Sequence, residues 1–283
     1  MRRFIPFIIL SGLLLAQDSC DGDEDGDGWS IGDGDCDDQA PEIYPGATER
    51  CNGLDDDCDG ADDTLGYWAF DEGVGTIATD AGPYNLNGII NNPSWSSEGY
   101  VGGALDFNGV DTYVTLDYDE LAPETGISVS AWVQPDSLKT SSWDSIVTRG
   151  ASGSSDLDCC EDSYYLGYYG QQMSWYTQSG EDEPPLLDGA NYASHIGGWH
   201  HILSTWDVES GTRAIYVDGV LTAEDVLGPD LPFYDGTPTR IGADTNNGSF
   251  ILPFDGRIDE VKIFNCALSA EQVYQDYATN WPY

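Results

Sequence analysis

Two short stretches near the N-terminus carry aspartates at alternate positions, each followed by a glycine. The first contains Asp23, Asp25, Asp27 and Gly28, and the second contains Asp55, Asp57, Asp59 and Gly60. An EF-hand-like loop places oxygen ligands at positions 1, 3 and 5, glycine at 6 and a backbone carbonyl at 7. The spacing therefore predicts two metal-binding loops, with the carbonyls of Trp29 and Ala61 as further ligands.

Neither loop has the bidentate glutamate that completes a full EF-hand at position 12. Asp63 lies at position 9 of the second loop. The other candidates for the missing ligands are Asp33, Asp35, Asp37, Asp38 and Glu49. Because residues 17–63 contain no His or Met, the ligands are oxygens alone, and this favours calcium over copper as the cofactor.

The same segment is so acidic that it is expected to fold only when a cation binds it. Residues 17–63 contain 18 acidic residues and one base, Arg50. Their mutual repulsion opposes compaction, and the few apolar residues cannot offset it. The alternative to a calcium-binding segment is a solvated acidic linker.

The same stretch resembles the MopE-type metal-binding repeat of bacterial surface proteins, over about residues 21–63. The resemblance is carried by 35–38 (DCDD), 44–49 (YPGATE), 51–53 (CNG) and 57–60 (DCDG). That family is named after a copper-binding protein. This copy lacks the soft ligands that copper prefers, so the resemblance implies a metal without implying copper.

The first 16 residues have the pattern of an export signal. Arg2 and Arg3 precede the apolar run 4–16, and Ala16 is a small residue suited to cleavage. The run is too short for a stop-transfer helix. We predict a signal peptide over 1–16 and a secreted or surface-exposed bacterial protein without a membrane span; lipid attachment through Cys20 is the alternative.

Export gives the seven cysteines a role in disulfides. Four lie in the acidic segment, and their pairing is open among three connectivities, with Cys51–Cys58 favoured because it would close the second loop. These four are Cys20, Cys36, Cys51 and Cys58. For the remaining three, Cys159, Cys160 and Cys266, two possibilities stay open: one thiol is free, or Cys159 or Cys160 pairs with Cys266. A zinc site of Cys159, Cys160, His200 and His201 is a weaker alternative.

Residues 65–283 have the pattern of an all-β domain. Residues 126–134 alternate apolar and polar side chains, as a half-buried strand does, and Asp218-Gly219 predicts a hairpin between 213–217 and 220–224. Further strands are expected at 66–70, 104–108, 110–116, 144–148, 164–169, 173–177, 200–205 and 257–264. One helix is expected from the N-cap Ser269, with Gln272 completing a capping box, to about Tyr277. These elements predict a two-sheet antiparallel jelly-roll sandwich.

This region resembles the concanavalin A-like, laminin G-like jelly-roll family over about residues 65–277. The resemblance is carried, in order, by 67–73 (YWAFDEG), 103–109 (GALDFNG), 129–133 (VSAWV), 198–201 (GWHH), 216–219 (YVDG), 255–263 (DGRIDEVKI) and 267–271 (ALSAE). It implies a module that recognises a glycan or protein ligand, often with structural calcium. Residues 150–162 form an insertion of open role.

Several side chains of the sandwich are candidates for these roles. Asp259 could bind calcium together with Asp71 and Asp80, or it could be a hydrogen-bonded carboxylate at a strand edge. The aromatic residues that could stack on sugar rings, unless they belong to the core, are Trp132, Trp143, Tyr164, Tyr165, Tyr168, Tyr169, Trp175 and Tyr176.

Catalysis is the less favoured interpretation. A glycoside hydrolase needs two carboxylates flanking the bond, and no strand carries a Glu-x-Asp-x-Glu pattern; no Gly-x-Ser-x-Gly elbow occurs either. The net charge of −42 also excludes nucleic acid as a partner. We predict a non-enzymatic, calcium-binding adhesion or recognition protein, with a polysaccharide-degrading enzyme or a structural surface-layer component as alternatives.

Overall fold

The computed structural model describes residues 22–47, 50–52, 54–58, 60, 63–122, 126–150, 162–177, 186–227, 237–246 and 249–278. Two compact units are present. The first comprises Met1–Thr48 and Asp56–Asp59, and the second comprises Glu49–Asp55 and Gly60–Tyr283. The predicted signal peptide lies outside the described residues. Within them, no helix is long and apolar enough to cross a membrane.

The described residues of the first unit form turns rather than a sheet. Among them, the regular element is a 3-10 helix, Ile31–Asp33, which ends at Gly34 with a φ of 106°. Tyr44 N donates to Asp56 O at 2.9 Å and Gly46 N donates to Asp57 O at 3.0 Å. A disulfide joins Cys36 to Cys58. These bonds hold the two segments of the acidic unit together.

Most of the regular elements described in the second unit are strands. Its strands are β1 Thr64–Trp68, β2 Ile77–Ala78, β3 Gly88–Asn91, β4 Trp95–Ser96, β5 Ala104–Asn108, β6 Tyr113–Leu116, β7 Gly126–Pro135, β8 Trp143–Gly150, β9 Asp162–Tyr169, β10 Gln172–Thr177, β11 Leu187–Asn191, β12 His200–Asp207, β13 Thr212–Val217, β14 Val220–Val226, β15 Thr239–Ile241, β16 Asp244–Asn246, β17 Ser249–Ile251 and β18 Asp255–Phe264. Its helices are the 3-10 turns Asp119–Leu121 and Ala193–His195 and the α-helix α1, Ala270–Ala278.

The strands form two large antiparallel sheets. Among the described residues, sheet A has the order β14-β13-β12-β7-β18-β5-β4, with β1 also paired to β18. Sheet B has the order β11-β10-β9-β8-β15-β6-β3-β2, and β16 and β17 form a separate ribbon. The main core contains residues from both sheets, such as Val129 and Ile263 of sheet A and Ile146 and Leu166 of sheet B. The predicted all-β sandwich is therefore confirmed.

The predicted hairpin and helix are both present. The strands β13 and β14 pair around Asp218 and Gly219, both of which have positive φ. At the start of α1, Ser269 N donates to Gln272 Oε1 at 2.9 Å and Gln272 N donates to Ser269 Oγ at 3.4 Å. These two bonds are the capping box that the sequence predicts.

The half-buried strand predicted over 126–134 is wrong in its burial. All of β7 except Gln134 is buried, including the polar side chains Ser128 and Ser130. The outer face of sheet A is covered by the chain that follows β18, because Ser128 Oγ donates to Cys266 O and Ser130 Oγ donates to Asp276. A small second core, which includes Leu203, Phe264 and Val273, lies on the same side.

Candidate functional site

The first predicted metal loop brings its three aspartates together. One carboxylate oxygen from each of Asp23, Asp25 and Asp27 lies within 4.8 Å of the others. Calcium binds oxygens at 2.3–2.6 Å, so two ligands on opposite sides of one ion lie about 5 Å apart. The spacing of these oxygens therefore fits a single calcium ion.

Backbone amides hold the loop in this arrangement. Asp23 accepts hydrogen bonds from Gly26 N at 2.6 Å and Gly28 N at 3.0 Å, through its two carboxylate oxygens. Asp27 Oδ1 accepts from Trp29 N at 2.7 Å. Gly26 and Gly28 have φ values of 88° and 104°, which residues other than glycine rarely adopt. The glycines thus let the loop wrap around the carboxylates.

Two carboxylates of this loop have one oxygen that is both buried and unbonded. Asp25 Oδ1 accepts from Asp27 N at 3.1 Å, whereas Asp25 Oδ2 and Asp27 Oδ2 have no hydrogen-bond partner. Desolvation, followed by repulsion from Asp27, Asp35 and Asp23, raises the pKa of Asp25. A bound cation would offset both costs, since it supplies the missing partner and neutralises the repulsion.

The remaining candidate ligands of the acidic segment differ in their bonding. Asp33 Oδ2 accepts from Ser30 Oγ at 2.7 Å, Asp37 Oδ1 from Gln39 N at 3.3 Å and Asp38 Oδ1 from Glu24 N at 3.0 Å. Asp35 is buried, with an exposed fraction of 3%. Glu49, Asp59 and Ala61 lie outside the described residues.

The second predicted loop repeats one feature of the first. Gly60 N donates to Asp55 Oδ2 at 2.8 Å, as Gly28 N does to Asp23 Oδ2 at 3.0 Å. In both loops, therefore, the glycine at position 6 caps the aspartate at position 1. Asp55 and Asp57 belong to different compact units, and cation binding by this loop stays a prediction.

The disulfides differ from the predicted pairing. Cys36 pairs with Cys58, and Cys51 pairs with Cys266. The favoured Cys51–Cys58 pair is wrong, as is the pairing of Cys266 with Cys159 or Cys160. The reason is that β1 pairs with the last strand, β18, so the chain before β1 lies beside the chain after β18.

Cys20, Cys159 and Cys160 lie outside the described residues. Cys51, Asp63 and Cys266 have side-chain atoms within 4.8 Å of one another. Because the two cysteines are oxidised to a disulfide, they offer no thiolate to a metal. Asp63 itself is 2% exposed.

The three carboxylates proposed for a calcium site in the sandwich accept hydrogen bonds from backbone amides. Asp80 accepts hydrogen bonds from Tyr67 N, Gly82 N and Leu86 N, and Asp71 accepts one from Gly103 N. Asp259 accepts from Tyr100 N, Val101 N and Glu260 N. Among the described residues, the acidic groups close enough to hold a metal do not include these three.

Burial, together with the nearby charge of Glu260, raises the pKa of Asp259 to about 8, although its backbone hydrogen bonds oppose the shift. The adjacent Glu260 accepts a hydrogen bond from Tyr67 OH at 2.6 Å. Both carboxylates are therefore buried, and both accept hydrogen bonds from other parts of the sandwich. Calcium binding by Asp259 stays a prediction.

A network of buried polar side chains lies on the outer face of sheet A. Asp276 Oδ2 accepts from Ser130 Oγ at 2.6 Å and lies 3.0 Å from His201 Nε2, while Asp276 Oδ1 binds Lys262 Nζ at 2.6 Å. A serine hydrolase triad instead places the carboxylate on the other ring nitrogen of the histidine. The hydrogen bonds among Ser130, His201 and Asp276 thus anchor α1 to the sheet rather than activating Ser130.

The candidate sugar-stacking aromatics divide between core and surface. Tyr164, Tyr168 and Trp175 belong to the main core. Their neighbours Tyr165 and Tyr176 point to the opposite face of sheet B and form a second cluster with Trp143. Trp132 is 8% exposed and stacks on Tyr100. Tyr169 is the one member of the set with a substantially exposed side chain, at 42%.

Sequence reasoning missed two of these arrangements. The first is the pairing of Lys262 with Asp276, 14 positions apart, and the second is the stacking of Tyr100 on Trp132, 32 positions apart. A local signal could have found the Lys262–Asp276 pair. Val273 and Asp276 are three residues apart, so they lie on the same face of α1, and the face that packs its apolar residue on the sheet also carries a carboxylate. No local pattern marks Tyr100.

Comparisons with known sequences identify the family. The profile of the concanavalin A-like lectin/glucanases superfamily (Laminin G 3) matches residues 108–274, more than half of the chain. The chain belongs to this superfamily. A metal-binding motif profile, Cu-binding MopE, matches residues 35–64. Both predicted resemblances are confirmed. No curated protein matches the sequence significantly.

Solved structures share the fold at low sequence identity. Domain 4 of an extracellular arabinanase from Geobacillus stearothermophilus, in complex with arabinotriose, has a TM-score of 0.54 and 22% identity over 76% of this chain and 98% of that one. The binding domain of botulinum neurotoxin serotype G has a TM-score of 0.55 and 14% identity over 76% of this chain and 50% of that one. Trypanosoma rangeli sialidase has a TM-score of 0.53 and 16% identity over 76% and 32%.

Proposed function

We propose that the protein is an exported, non-enzymatic recognition protein whose sandwich binds a glycan and whose acidic N-terminal unit binds calcium. The observation that carries the calcium assignment is the cluster of Asp23, Asp25 and Asp27, in which two buried oxygens lack a partner. Oxygen-only ligands match calcium, whereas copper prefers nitrogen or sulfur.

Calcium has a structural task in this unit. Without a cation, the clustered carboxylates repel one another, and few apolar side chains oppose their separation. Calcium would remove this repulsion and tie positions 1, 3 and 5 of the loop together, so that binding stabilises the folded unit. The affinity we expect is in the millimolar to sub-millimolar range typical of extracellular modules.

The proposed recognition role is supported by the fold. Members of the same structural class include a domain bound to arabinotriose and receptor-binding domains of neurotoxins. The sequence carries no Glu-x-Asp-x-Glu strand, and the adjacent carboxylates Asp259 and Glu260 of β18 are buried and hydrogen-bonded. These facts favour glycan binding over glycan cleavage.

The direct test combines a glycan array with calorimetry on the secreted full-length chain. We expect calcium binding by titration, retention of one or more glycans in calcium, and no release of reducing ends from those glycans. Turnover of a retained glycan would replace this proposal with an enzymatic one. Calcium-dependent self-association without glycan binding would favour a structural surface-layer role.

Export itself is tested by the mature N-terminus. The basic Arg2-Arg3 pair and the following apolar run predict removal of the first 16 residues. The two disulfides agree with an extracellular, oxidising environment. Mass spectrometry of the native protein should show a start near Gln17; an intact Met1 would contradict export by cleavage, and a lipid on Cys20 would mark a lipoprotein.

A further inference from the structure

The connection between β11 and β12, residues 192–199, has one buried side chain, His195. The exposed fraction of His195 is 4%, whereas every other residue of this stretch is exposed or half-buried. We propose that His195 is an acid-sensitive anchor: its neutral ring holds the β11–β12 connection in place, and protonation of the ring releases the connection. This inference goes beyond the proposed calcium and glycan binding and does not depend on them.

The ring of His195 contacts three other rings. It stacks on the ring of His200, at the start of β12, with centroids 3.6 Å apart and an angle of 10° between the planes. The centroid of the Tyr192 ring lies 4.2 Å away. His195 Nδ1 lies 3.2 Å from the hydroxyl of Tyr168 on β9. Since β9 belongs to sheet B and β12 to sheet A, this one side chain attaches the connection to both sheets.

The surroundings of His195 favour a neutral ring. Four titratable side chains face it: Tyr192 of the connection itself, Tyr168 of β9, His200 of β12 and Asp218 of the β13–β14 hairpin. Burial, followed by repulsion from His200, lowers the pKa of His195 to about 4, although the charge of Asp218 opposes the shift. Burial raises the pKa of Tyr168 well above its ordinary value, so its hydroxyl stays neutral and offers no counter-charge.

The carboxylate that opposes this shift is engaged by β12. Asp218 Oδ2 lies 2.9 Å from His200 Nδ1, and Asp218 Oδ1 accepts a hydrogen bond from His201 N at 3.0 Å. Asp218 therefore cannot move to a protonated His195 without breaking these contacts. Among the described residues, the groups of three or more side chains close enough to hold a metal include neither His195 nor His200. Protonation is thus the change to which this cluster can respond.

Release would break a small set of backbone hydrogen bonds. Tyr192 N donates to Gln171 O, in the β9–β10 turn, at 2.7 Å, and Gly197 N donates to Pro135 O, at the end of β7, at 2.8 Å. These bonds attach the connection to its neighbours on either side of His195. Segments with few buried contacts open locally at a lower free energy than the core does. With His195 as its one buried side chain, the connection is such a segment.

Acid should favour this opening. In the open connection, His195 is exposed and has the ordinary pKa of about 6.5. In the closed connection its pKa is about 4. The closed form is therefore favoured fully above pH 6.5 and loses this advantage as the pH falls toward 4. The equilibrium constant for opening should rise about 20-fold between pH 7 and pH 5.

Amide hydrogen exchange on the secreted full-length chain measures the opening. The reporters are the amides of Tyr192 and Gly197, compared with the amides of β12. After correction for the intrinsic pH dependence of exchange, the two reporters should be less protected than β12, and their protection should fall about 20-fold from pH 7 to pH 5. Equal protection in the connection and in β12 would overturn local release. Protection that does not change with pH would overturn the role of the proton.

The matched variants are His195→Gln and His200→Gln, each of which removes one imidazole from the stack. His195→Gln should abolish the acid effect, because glutamine does not titrate. His200→Gln should keep most of it, because burial is the larger cause of the lowered pKa of His195 and remains in this variant. Loss of the acid effect in both variants, or in neither, would overturn the assignment to His195.

The unmodified chain decides the matter if His195→Gln does not fold. Because the pKa of the closed form is about 4, the imidazole of His195 should still be neutral at pH 5 when it is followed by NMR. An imidazole that is half protonated near pH 6.5 would show that the folded chain does not exclude the proton, and the anchor would be overturned.

Discussion

Lys262 Nζ lies 2.6 Å from Asp276 Oδ1, and both side chains are almost completely buried, at 6% and 8% exposure. Although burial opposes it, the charge of Lys262 and the hydrogen bond from His201 hold the pKa of Asp276 below its ordinary value. Since Asp276 lies on α1 and its partners lie on β7, β12 and β18, one carboxylate ties the C-terminal helix to three strands of sheet A.

We therefore predict that Asp276→Asn is strongly destabilising. The substitution leaves the buried Lys262 ammonium without its counter-charge, and breaking one partner of a buried pair costs about 3–5 kcal/mol. Urea unfolding in calcium should show the loss. Glu98→Gln is the control, because Glu98 pairs with Arg257 at 3.3 Å but is 78% exposed, and exposed pairs are worth about 1 kcal/mol or less. Equal losses for both variants would contradict a buried anchor.

The same helix shows where sequence patterns reach their limit. The Ser269–Gln272 capping box is local, and the sequence predicts it correctly. The alternation in 126–134 predicts which side chains share a face, but not that α1 covers the polar face. Covering depends on a contact between residues almost 150 positions apart, and no local periodicity encodes it.

The clustering of carboxylates in the first acidic loop was predictable because it is local, like the capping box. A metal loop is local, so the spacing of Asp23, Asp25 and Asp27 suffices to bring their oxygens together. The Cys51–Cys266 disulfide was not predictable, because it depends on the pairing of the first strand with the last.

The Cys51–Cys266 disulfide should be the more stabilising of the two. It joins residues 215 positions apart, against 22 for Cys36–Cys58. Loop-closure entropy in the unfolded chain then gives about 5 kcal/mol for the longer loop and about 3 kcal/mol for the shorter. Paired Cys→Ala variants, compared by denaturant unfolding, measure both. A larger effect from the shorter loop would show that native contacts, rather than unfolded-state entropy, dominate.

Acid should destabilise the sandwich through His195. Burial, followed by repulsion from His200, lowers the pKa of His195 to about 4. Between pH 6.5 and 4, His195 therefore binds a proton in the unfolded chain but stays neutral in the folded chain. The free energy of unfolding thus keeps its full value above pH 6.5 and decreases as the pH falls toward 4.

The measurement for His195 is the difference in unfolding free energy between the wild type and His195→Gln. A side chain that does not titrate removes this part of the acid sensitivity, and the difference should change by about 2–3 kcal/mol between pH 7 and pH 4. Taking the difference cancels the contribution of the many carboxylates. A difference independent of pH would refute the neutral, buried imidazole.

Glycan binding, where it occurs, should depend on Tyr169. Its ring is 42% exposed and lies 5.0 Å from the ring of Trp143, so it offers a flat apolar surface for a sugar. Tyr169→Ala should weaken a glycan found on the array by about tenfold, which corresponds to 1.4 kcal/mol. Tyr274→Ala is the matched control, since Tyr274 is 52% exposed on α1. Equal affinity for wild type and Tyr169→Ala would place the sugar elsewhere.

Asp259 provides the sharpest test of whether the sandwich holds a calcium ion of its own. If Asp259 binds calcium with Asp71 and Asp80, Asp259→Asn should lower the melting temperature only in calcium, because a ligand stabilises the state that binds it. If the three backbone amides of Tyr100, Val101 and Glu260 are its partners, the loss should be the same in chelator. The hydrogen bonds lead us to expect the second result.

A neutral amide cannot replace the carboxylate in that position. Asp259 Oδ2 accepts hydrogen bonds from two backbone N–H groups and Oδ1 accepts a third. In asparagine one of these oxygens becomes an NH₂ group, which cannot accept, so at least one backbone N–H loses its hydrogen bond. We expect a loss of about 1–3 kcal/mol, the usual penalty for unsatisfied buried groups. To exclude effects of calcium in the acidic unit, the comparison is repeated in an Asp23→Asn/Asp25→Asn/Asp27→Asn background. A calcium-dependent loss that persists there would establish a metal site in the sandwich.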